Sequence, residues 1–148
     1  TFSEQNPKVK VNYKPNLIDG IHNIKVYPTD ASGNTDSIGY SKSFQVSSEL
    51  QVLYLYNYPN PFSDETYFTF KLTQIPDEFI LKIFTIAGRL IKEIKVNSLN
   101  LNYDFNRIYW DGKDQDGDRI ANGVYFYKVI VKQGDKTKDY TQKLAIVR

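Results

Sequence analysis

Apolar and polar residues alternate with a period of two along most of this 148-residue sequence. The alternation is clearest at 67–72, where Phe68, Phe70 and Leu72 occupy every second position. No window shows the sustained i, i+3, i+4, i+7 apolar spacing that lets a helix bury one face. Twelve Tyr and nine Phe residues agree with this, because flat rings pack well on a pleated, half-buried surface. The pattern predicts an all-β protein with almost no helix.

Ten segments carry this alternation between turn residues, and each is predicted to form a strand. Glycine-containing turn dipeptides such as Ala87-Gly88, Asp116-Gly117 and Gly134-Asp135 separate several of them. The predicted strands are Val9–Tyr13, His22–Pro28, Tyr40–Val46, Val52–Tyr56, Tyr67–Leu72, Phe79–Thr85, Arg89–Val96, Tyr103–Trp110, Val124–Lys132 and Lys138–Val147.

A short polar break at Ser47, Ser48 and Glu49 divides these strands into two sets. The three strands of residues 1–48 are too few to bury a two-sheet core. We therefore interpret residues 1–48 as the incomplete C-terminal part of an immunoglobulin-like (Ig-like) β domain. The seven strands of residues 49–148 suffice for an Ig-like antiparallel β-sandwich.

Composition and charge argue against several classes of function. The net charge of +2 comes from interspersed Lys, Asp and Glu, so no basic field favours nucleic acid. No run approaches the roughly 20 apolar residues that span a bilayer, so no membrane insertion is expected. The lack of Cys removes thiolate metal sites and cysteine nucleophiles, and the single His22 falls where a strand begins. We predict no cofactor and no catalytic residue.

Four aspartates lie close together in the segment 111–118, and carboxylate oxygens are ligands that Ca²⁺ prefers. Their spacing does not fit an EF-hand loop, because glycines fall at positions that need carboxylates. We favour a polar turn in which Asp side chains accept hydrogen bonds from nearby backbone N–H groups, with a calcium site as the minor alternative. The candidate ligands are Asp111, Asp114, Asp116 and Asp118.

Trp110 and the tyrosines Tyr54, Tyr56, Tyr125 and Tyr127 allow two interpretations. Exposed rings would offer a stacking platform to sugars or to single-stranded nucleic acid. Buried rings would instead fill the core. Strand alternation favours the core for Tyr125 and Tyr127, which lie on one face of the same predicted strand.

The segment Tyr58-Pro59-Asn60-Pro61-Phe62 is the most specific local feature of the sequence. Each proline removes a backbone donor and holds the preceding residue extended. We expect this segment to leave the sheet and cross over, with Phe62 anchoring the crossing.

Several spaced motifs follow one another in a characteristic order from about Leu53 to Arg148. They resemble the C-terminal sorting domains of proteins exported by the type IX secretion system of Bacteroidetes-like bacteria. The flagellar hook-capping Ig-like domain shares much of the pattern. The motifs are Tyr58-Pro59-Asn60-Pro61-Phe62, Ile86-Ala87-Gly88-Arg89, Tyr109-Trp110-Asp111-Gly112-Lys113-Asp114, Asp116-Gly117-Asp118 and Asn122-Gly123-Val124-Tyr125-Phe126-Tyr127.

The resemblance implies a sandwich that the outer-membrane translocon and its sorting machinery recognise. It also implies an upstream passenger domain, which travels through the periplasm to the cell surface or the medium. The recognition signal is expected largely in the last strands. The matching residues are Gly123, Val124 and Tyr125 in the turn into one strand, and Lys143, Leu144, Ala145, Ile146, Val147 and Arg148 in the next.

The upstream motifs Leu17–His22 and Asp30–Asn34 resemble the Ig-like stretch before the sorting module of a gingipain-like cysteine peptidase. In a parent of that kind, this cysteine-free chain would be a non-catalytic tail.

Two functions remain open at this point. The first is a non-catalytic sorting module, whose terminal strand would lie at a sheet edge and pair with a strand of another protein. On this view, Lys143–Arg148 is predicted on or beside such an edge. The alternative is a structural or carbohydrate-binding Ig-like accessory domain of a secreted enzyme such as a gingipain-like peptidase. Exposed aromatic residues on one sheet face would favour the alternative.

Overall fold

The structure is a computed structural model that describes residues 11–148. Its described part contains nine strands and one short 3-10 helix at Ser98–Asn100, with no α-helix. All ladders within the sheets are antiparallel. The all-β prediction is confirmed. The chain divides into two compact units between Val46 and Ser47.

The first unit contains one antiparallel pair, β1 (Gly20–Val26) with β2 (Tyr40–Val46). Nearly all side chains of this pair are exposed. The strand predicted at Val9–Tyr13 is not found in its described part, 11–13, and residues 9 and 10 lie outside the described residues. Alternation alone was misleading there, because a strand also needs a neighbour to pair with.

The second unit contains seven strands in two sheets, as an Ig-like β-sandwich requires. One sheet has the order β3-β4-β7, and the other has the order β6-β5-β8-β9. The strands are β3 (Val52–Tyr58), β4 (Thr66–Leu72), β5 (Glu78–Thr85), β6 (Leu90–Val96), β7 (Phe105–Trp110), β8 (Gly123–Gln133) and β9 (Lys136–Ile146).

Aromatic side chains from both sheets meet in the core of this sandwich. Phe70 stacks on Phe79 with ring centroids 4.7 Å apart, and Phe68 meets the edge of Tyr127 at 4.7 Å. Trp110 is 2% exposed, and its Nε1 donates a hydrogen bond to the Lys113 carbonyl at 2.8 Å. The prediction that alternation buries one face of β8 is confirmed. Tyr125, Tyr127, Val129 and Val131 are buried, whereas the residues between them are exposed or half-buried.

Burial raises the pKa of the Tyr127 hydroxyl above its ordinary value. In the unfolded chain this phenol ionises near pH 10, whereas in the folded chain it keeps its proton, so higher pH favours unfolding. We expect the free energy of unfolding to fall above about pH 10 by up to roughly 1.4 kcal/mol per pH unit from this group. Denaturant titrations between about pH 9 and about pH 11 should show a shallower fall for Tyr127→Phe. If the free energy of unfolding falls equally steeply with pH for Tyr127→Phe and for the unmodified chain, the prediction is contradicted.

Candidate functional site

The last strand, β9, lies at the edge of the four-stranded sheet and forms its ladder with β8. The expectation that the segment beginning at Lys143 lies at a sheet edge is therefore confirmed for the part within β9. An edge strand presents backbone N–H and C=O groups on its open side, which another strand can pair with. What covers that side decides whether such pairing is available.

The loop between β3 and β4 covers the open side of β9 near its end. The Asn60 side chain accepts a hydrogen bond from the Ala145 N–H at 2.9 Å and donates one to the Lys143 carbonyl at 3.3 Å. The Phe62 N–H donates to the Ala145 carbonyl at 3.1 Å, and the Val147 N–H donates to the Phe62 carbonyl at 3.0 Å. These backbone groups of β9 are thus already paired, so a foreign strand could add here only if the loop moved away.

This covering loop is the proline segment singled out in the sequence, and its two X-Pro bonds, Tyr58-Pro59 and Asn60-Pro61, are cis. Phe62 is buried and meets Trp110 at a centroid distance of 5.6 Å, so it anchors the loop as predicted. The segment leaves the sheet of β3 as predicted and reaches β9 of the other sheet, where Phe62 forms a bridge with Ile146, and the chain then returns so that β4 pairs with β3. Prolines interrupt a ladder locally but do not decide which sheet the next strand joins.

Further loops hold the end of β9. The Arg148 N–H donates to Asn122 Oδ1 at 3.2 Å, and Arg148 Nη1 donates to the Ile120 carbonyl at 2.5 Å. Gly112 has a φ of +66°, and a Cβ there would lie 3.0 Å from the Asp64 carbonyl oxygen. This close approach explains why glycine suits the Trp-Asp-Gly motif, whose loop packs beside the end of β9.

The predicted recognition residues divide into two groups by burial. Three of them, Tyr125, Leu144 and Ile146, fill the core of the sandwich. The others are exposed or, for Ala145, half-buried: Gly123, Val124, Lys143, Ala145, Val147 and Arg148. The two groups alternate along the strand because successive side chains point to opposite faces. The second group alone is accessible to another protein's side chains.

The ladder between β8 and β9 brings these accessible residues together. Val124 pairs with Ala145, and Phe126 pairs with Lys143, on the outer face of the sheet. We call Val124, Phe126, Lys143 and Ala145 the β8–β9 surface. Phe126 is a further candidate on this surface that the sequence prediction did not include, although an aromatic residue on the solvent face of an alternating strand is a usable signal.

The first half of β9 keeps an open edge. In an antiparallel ladder alternate residues direct their backbone groups to the same side, so Thr137, Asp139 and Thr141 face away from β8 as Ala145 does. Within residues 11–148 no backbone hydrogen bond reaches these three from the open side. The accessible edge therefore lies before the segment that the sequence singled out.

The aspartate loop is organised by one side chain. Asp114 Oδ1 accepts hydrogen bonds from the N–H groups of Asp116 at 3.0 Å and Asp118 at 2.9 Å. Asp111 Oδ1 accepts one from the Lys113 N–H at 3.3 Å. In the described part of the chain, no group of three or more His, Cys, Asp or Glu residues is placed to hold a metal ion. The described hydrogen bonds are those of a polar turn.

The aromatic candidates also divide. Trp110, Tyr125 and Tyr127 lie in the core, whereas Tyr54 and Tyr56 are exposed on the outer face of the three-stranded sheet.

No helix among residues 11–148 has the length and apolar character needed to cross a membrane.

Comparisons with known proteins bear on the second unit above all. A protein-family model described as Secretion system C-terminal sorting domain matches residues 57–146. Dimeric latent PorU from Porphyromonas gingivalis is similar in structure, with 23% sequence identity and a TM-score of 0.58 over 90% of this chain and 13% of that chain. PorZ, a surface component of the type-IX secretion system of the same bacterium, matches 64% of this chain and 12% of its own at 26% identity and a TM-score of 0.43. A search of curated proteins gave no match.

The likeness to PorU supports the fold, and the chain spans 13% of the length of that protein. The family match is more informative, because it extends from the end of β3 to the end of β9 and so includes the covering loop and the β8–β9 surface. The chain belongs to the family of C-terminal sorting domains of the type IX secretion system, non-catalytic modules that direct export to the cell surface or the medium.

Proposed function

We propose that residues 49–148 form the module by which the outer-membrane translocon and sorting machinery of the type IX system recognise this protein. The observation that carries the proposal is the position of the family's last strand at a sheet edge, with its outward side chains accessible. Gly123, Val124, Lys143, Ala145, Val147 and Arg148 would contact the machinery, and Tyr125, Leu144 and Ile146 would hold them in place. The upstream passenger would pass through the periplasm to the cell surface or the medium.

Recognition at the end of β9 would use side chains rather than strand addition. The backbone of Ala145 is paired with Asn60 and Phe62 in the folded module, so few groups remain for a new ladder there. Strand addition remains available along Thr137–Thr141, where the open edge lies. Side-chain and backbone contacts would then be made at opposite ends of one strand.

Residues 1–48 would belong to an Ig-like domain of the passenger that is incomplete in this chain. An isolated two-stranded pair is at best marginally stable in water, and β1 and β2 have exposed apolar side chains such as Ile21 and Ile24. A gingipain-like peptidase is the parent we favour, and its support is the resemblance of the upstream motifs Leu17–His22 and Asp30–Asn34. The alternative of a carbohydrate-binding accessory domain is supported by the exposed tyrosines of the other sheet.

Export of a fluorescent protein fused ahead of the 148-residue chain tests the sorting role, in a bacterium with a working type IX system. We expect Val124→Glu with Lys143→Glu to reduce surface and medium fluorescence by about tenfold or more, because the new charge at position 124 and the reversed charge at position 143 oppose complementary contacts. The folded fusion should then accumulate in the periplasm. Leu99→Glu is the matched control, because Leu99 is exposed on a distant loop of the same unit. Unchanged export of the double variant would refute recognition through this surface.

A proline at Asp139 separates the two modes of recognition. The Asp139 N–H points away from β8, so Asp139→Pro blocks strand addition at the open edge without removing a ladder hydrogen bond. Lost export of this variant, with the melting temperature maintained, indicates strand addition. Normal export restricts recognition to side chains.

A further inference from the structure

The outer face of the sheet β3-β4-β7 is unusually rich in exposed aromatic residues. This face is on the opposite side of the sandwich from the β8–β9 surface, and the proposed sorting role does not use it. Large exposed apolar patches on a soluble domain mark interaction sites. The exposed residues are Tyr54, Tyr56 and Tyr58 on β3 and Phe105 and Tyr109 on β7, and the half-buried Tyr67 on β4 lies among them.

The strand register sets these rings side by side. Tyr58 pairs with Tyr67, and Tyr67 pairs with Tyr109, so three tyrosines form a row across the sheet. The rings of Tyr67 and Tyr109 have centroids 5.4 Å apart, and the Arg107 guanidinium lies 4.5 Å above the centre of the Tyr67 ring. The face therefore combines flat rings, phenolic hydroxyls and a cation within a small area.

Tyr54 reaches this face at a conformational cost. It has a φ of +54° and is the sole non-glycine residue with positive φ in the described chain. It lies where the β3–β4 register shifts between Leu53 and Tyr56. A bulge of this kind re-aims a side chain, and here it leaves Tyr54 72% exposed while Leu55 packs against the core. Backbone strain that keeps a large ring in solvent points to a function for the ring.

A groove runs beside the strained tyrosine. Its volume is about 190 Å³, and its lining includes Tyr54 and Tyr56 on one side, Phe105 on the other and Lys71 between them. Aromatic walls on both sides of a groove suit a ligand with flat apolar faces and polar edges.

Two cations on this face, Lys71 and Arg107, differ in their ion-pair partners. Lys71 is paired with Asp104 at 2.7 Å, whereas Arg107 has no carboxylate within salt-bridge distance among residues 11–148. Burial and the nearby Glu65 carboxylate raise the pKa of the Tyr109 hydroxyl, so a negative charge lies at the end of the tyrosine row. Arg107 is thus a cation amid the rings with no ion-pair partner among residues 11–148, and it complements a ligand that carries isolated negative charges.

We infer that this face binds an acidic saccharide, with pyranose rings stacked on Tyr54, Tyr56 and Tyr58 and a sugar carboxylate held by Arg107. Sugars present the alternation of flat apolar faces and hydroxyl edges that tyrosines match. A nucleic acid carries a charge on every unit and needs a track of cations, which this face lacks. The inference is independent of the sorting role.

Binding of defined oligosaccharides to the 148-residue chain tests the inference by calorimetry. The acidic probes are galacturonate and mannuronate tetrasaccharides, and the neutral probes are cellotetraose and maltotetraose. We expect the acidic probes to bind more tightly by about tenfold or more. Tyr56→Ala with Tyr58→Ala should weaken all binding by about tenfold or more, through loss of stacking. Arg107→Gln should abolish the preference for acidic sugars and leave weak stacking.

Phe126→Ala is the matched control, because it removes an exposed aromatic residue from the other sheet. It should bind sugars like the unmodified chain, and melting curves should show every variant folded. The inference is overturned if the folded chain binds none of the probes, if the tyrosine variants bind unchanged, or if neutral and acidic sugars bind equally. It is also overturned if oligothymidylate binds in place of sugars. Normal export of Arg107→Gln would keep this result separate from the sorting test.

Discussion

Replacement of Trp110 by alanine is expected to destabilise the second unit by about 3–5 kcal/mol. The indole is almost fully buried, packs against Phe62 and Phe68, and donates its N–H to the Lys113 carbonyl. Alanine would leave a cavity between the sheets and an unpaired carbonyl. Domains of this size have a free energy of unfolding of about 5–15 kcal/mol, so the change removes much of the available stability. The covering loop should loosen as well, because Phe62 loses its partner.

Tyr109→Ala is the control for this prediction. Tyr109 is the neighbouring residue on β7, but it points to solvent and contacts Tyr67 alone among the aromatic pairs. Its replacement should cost about 1 kcal/mol or less. Trp110 is the sole tryptophan, so urea titrations should be followed by far-ultraviolet circular dichroism rather than fluorescence. Equal midpoints for the two variants would contradict the packing described.

The second large effect is expected in β9 itself. Leu144 and Ile146 are each 1% exposed and lie in the core cluster. Each change to alanine should cost about 2–5 kcal/mol, and the double variant should unfold the second unit at ordinary temperature. Lys143→Ala and Val147→Ala, on the exposed side of the same segment, should stay within about 0.5 kcal/mol of the unmodified chain. A similar loss for both pairs would show that the alternation of β9 is not as described.

This contrast affects how truncation experiments are understood. Removal of Lys143–Arg148 deletes the exposed residues together with two core residues and the partners of the covering loop. A truncated module that fails to reach the surface has therefore lost its fold as well as its signal. Point changes on the β8–β9 surface separate the two losses.

The strands of the second unit could be predicted because alternation and turn dipeptides are local. Phe68, Phe70 and Leu72 alternate within one strand, and burial follows directly from that spacing. The tyrosines of β8 were placed in the core for the same reason. Spaced motifs with a fixed order then identified the family, which no single strand pattern could do.

Other features depend on contacts between distant segments. The pairing of Asn60 with Ala145 joins residues far apart in sequence, and the prolines alone indicate only that a ladder is interrupted. The outward position of Tyr54 depends on a register shift against β4 that alternation does not contain. The open edge at Thr137–Thr141 follows from which strand ends the sheet, a property of topology.

The alternation of buried and exposed residues in β9 has a consequence for quality control. In the proposed role, the sorting machinery binds side chains on the exposed face of β9. These side chains share that face only when Leu144 and Ile146 are packed in the core. An unfolded chain has the same residues, but their side chains do not share one face and do not lie beside β8. A recognition surface on the exposed face of a core strand therefore exists only in the folded domain. Recognition of this surface would restrict export from the periplasm to chains whose second unit has folded.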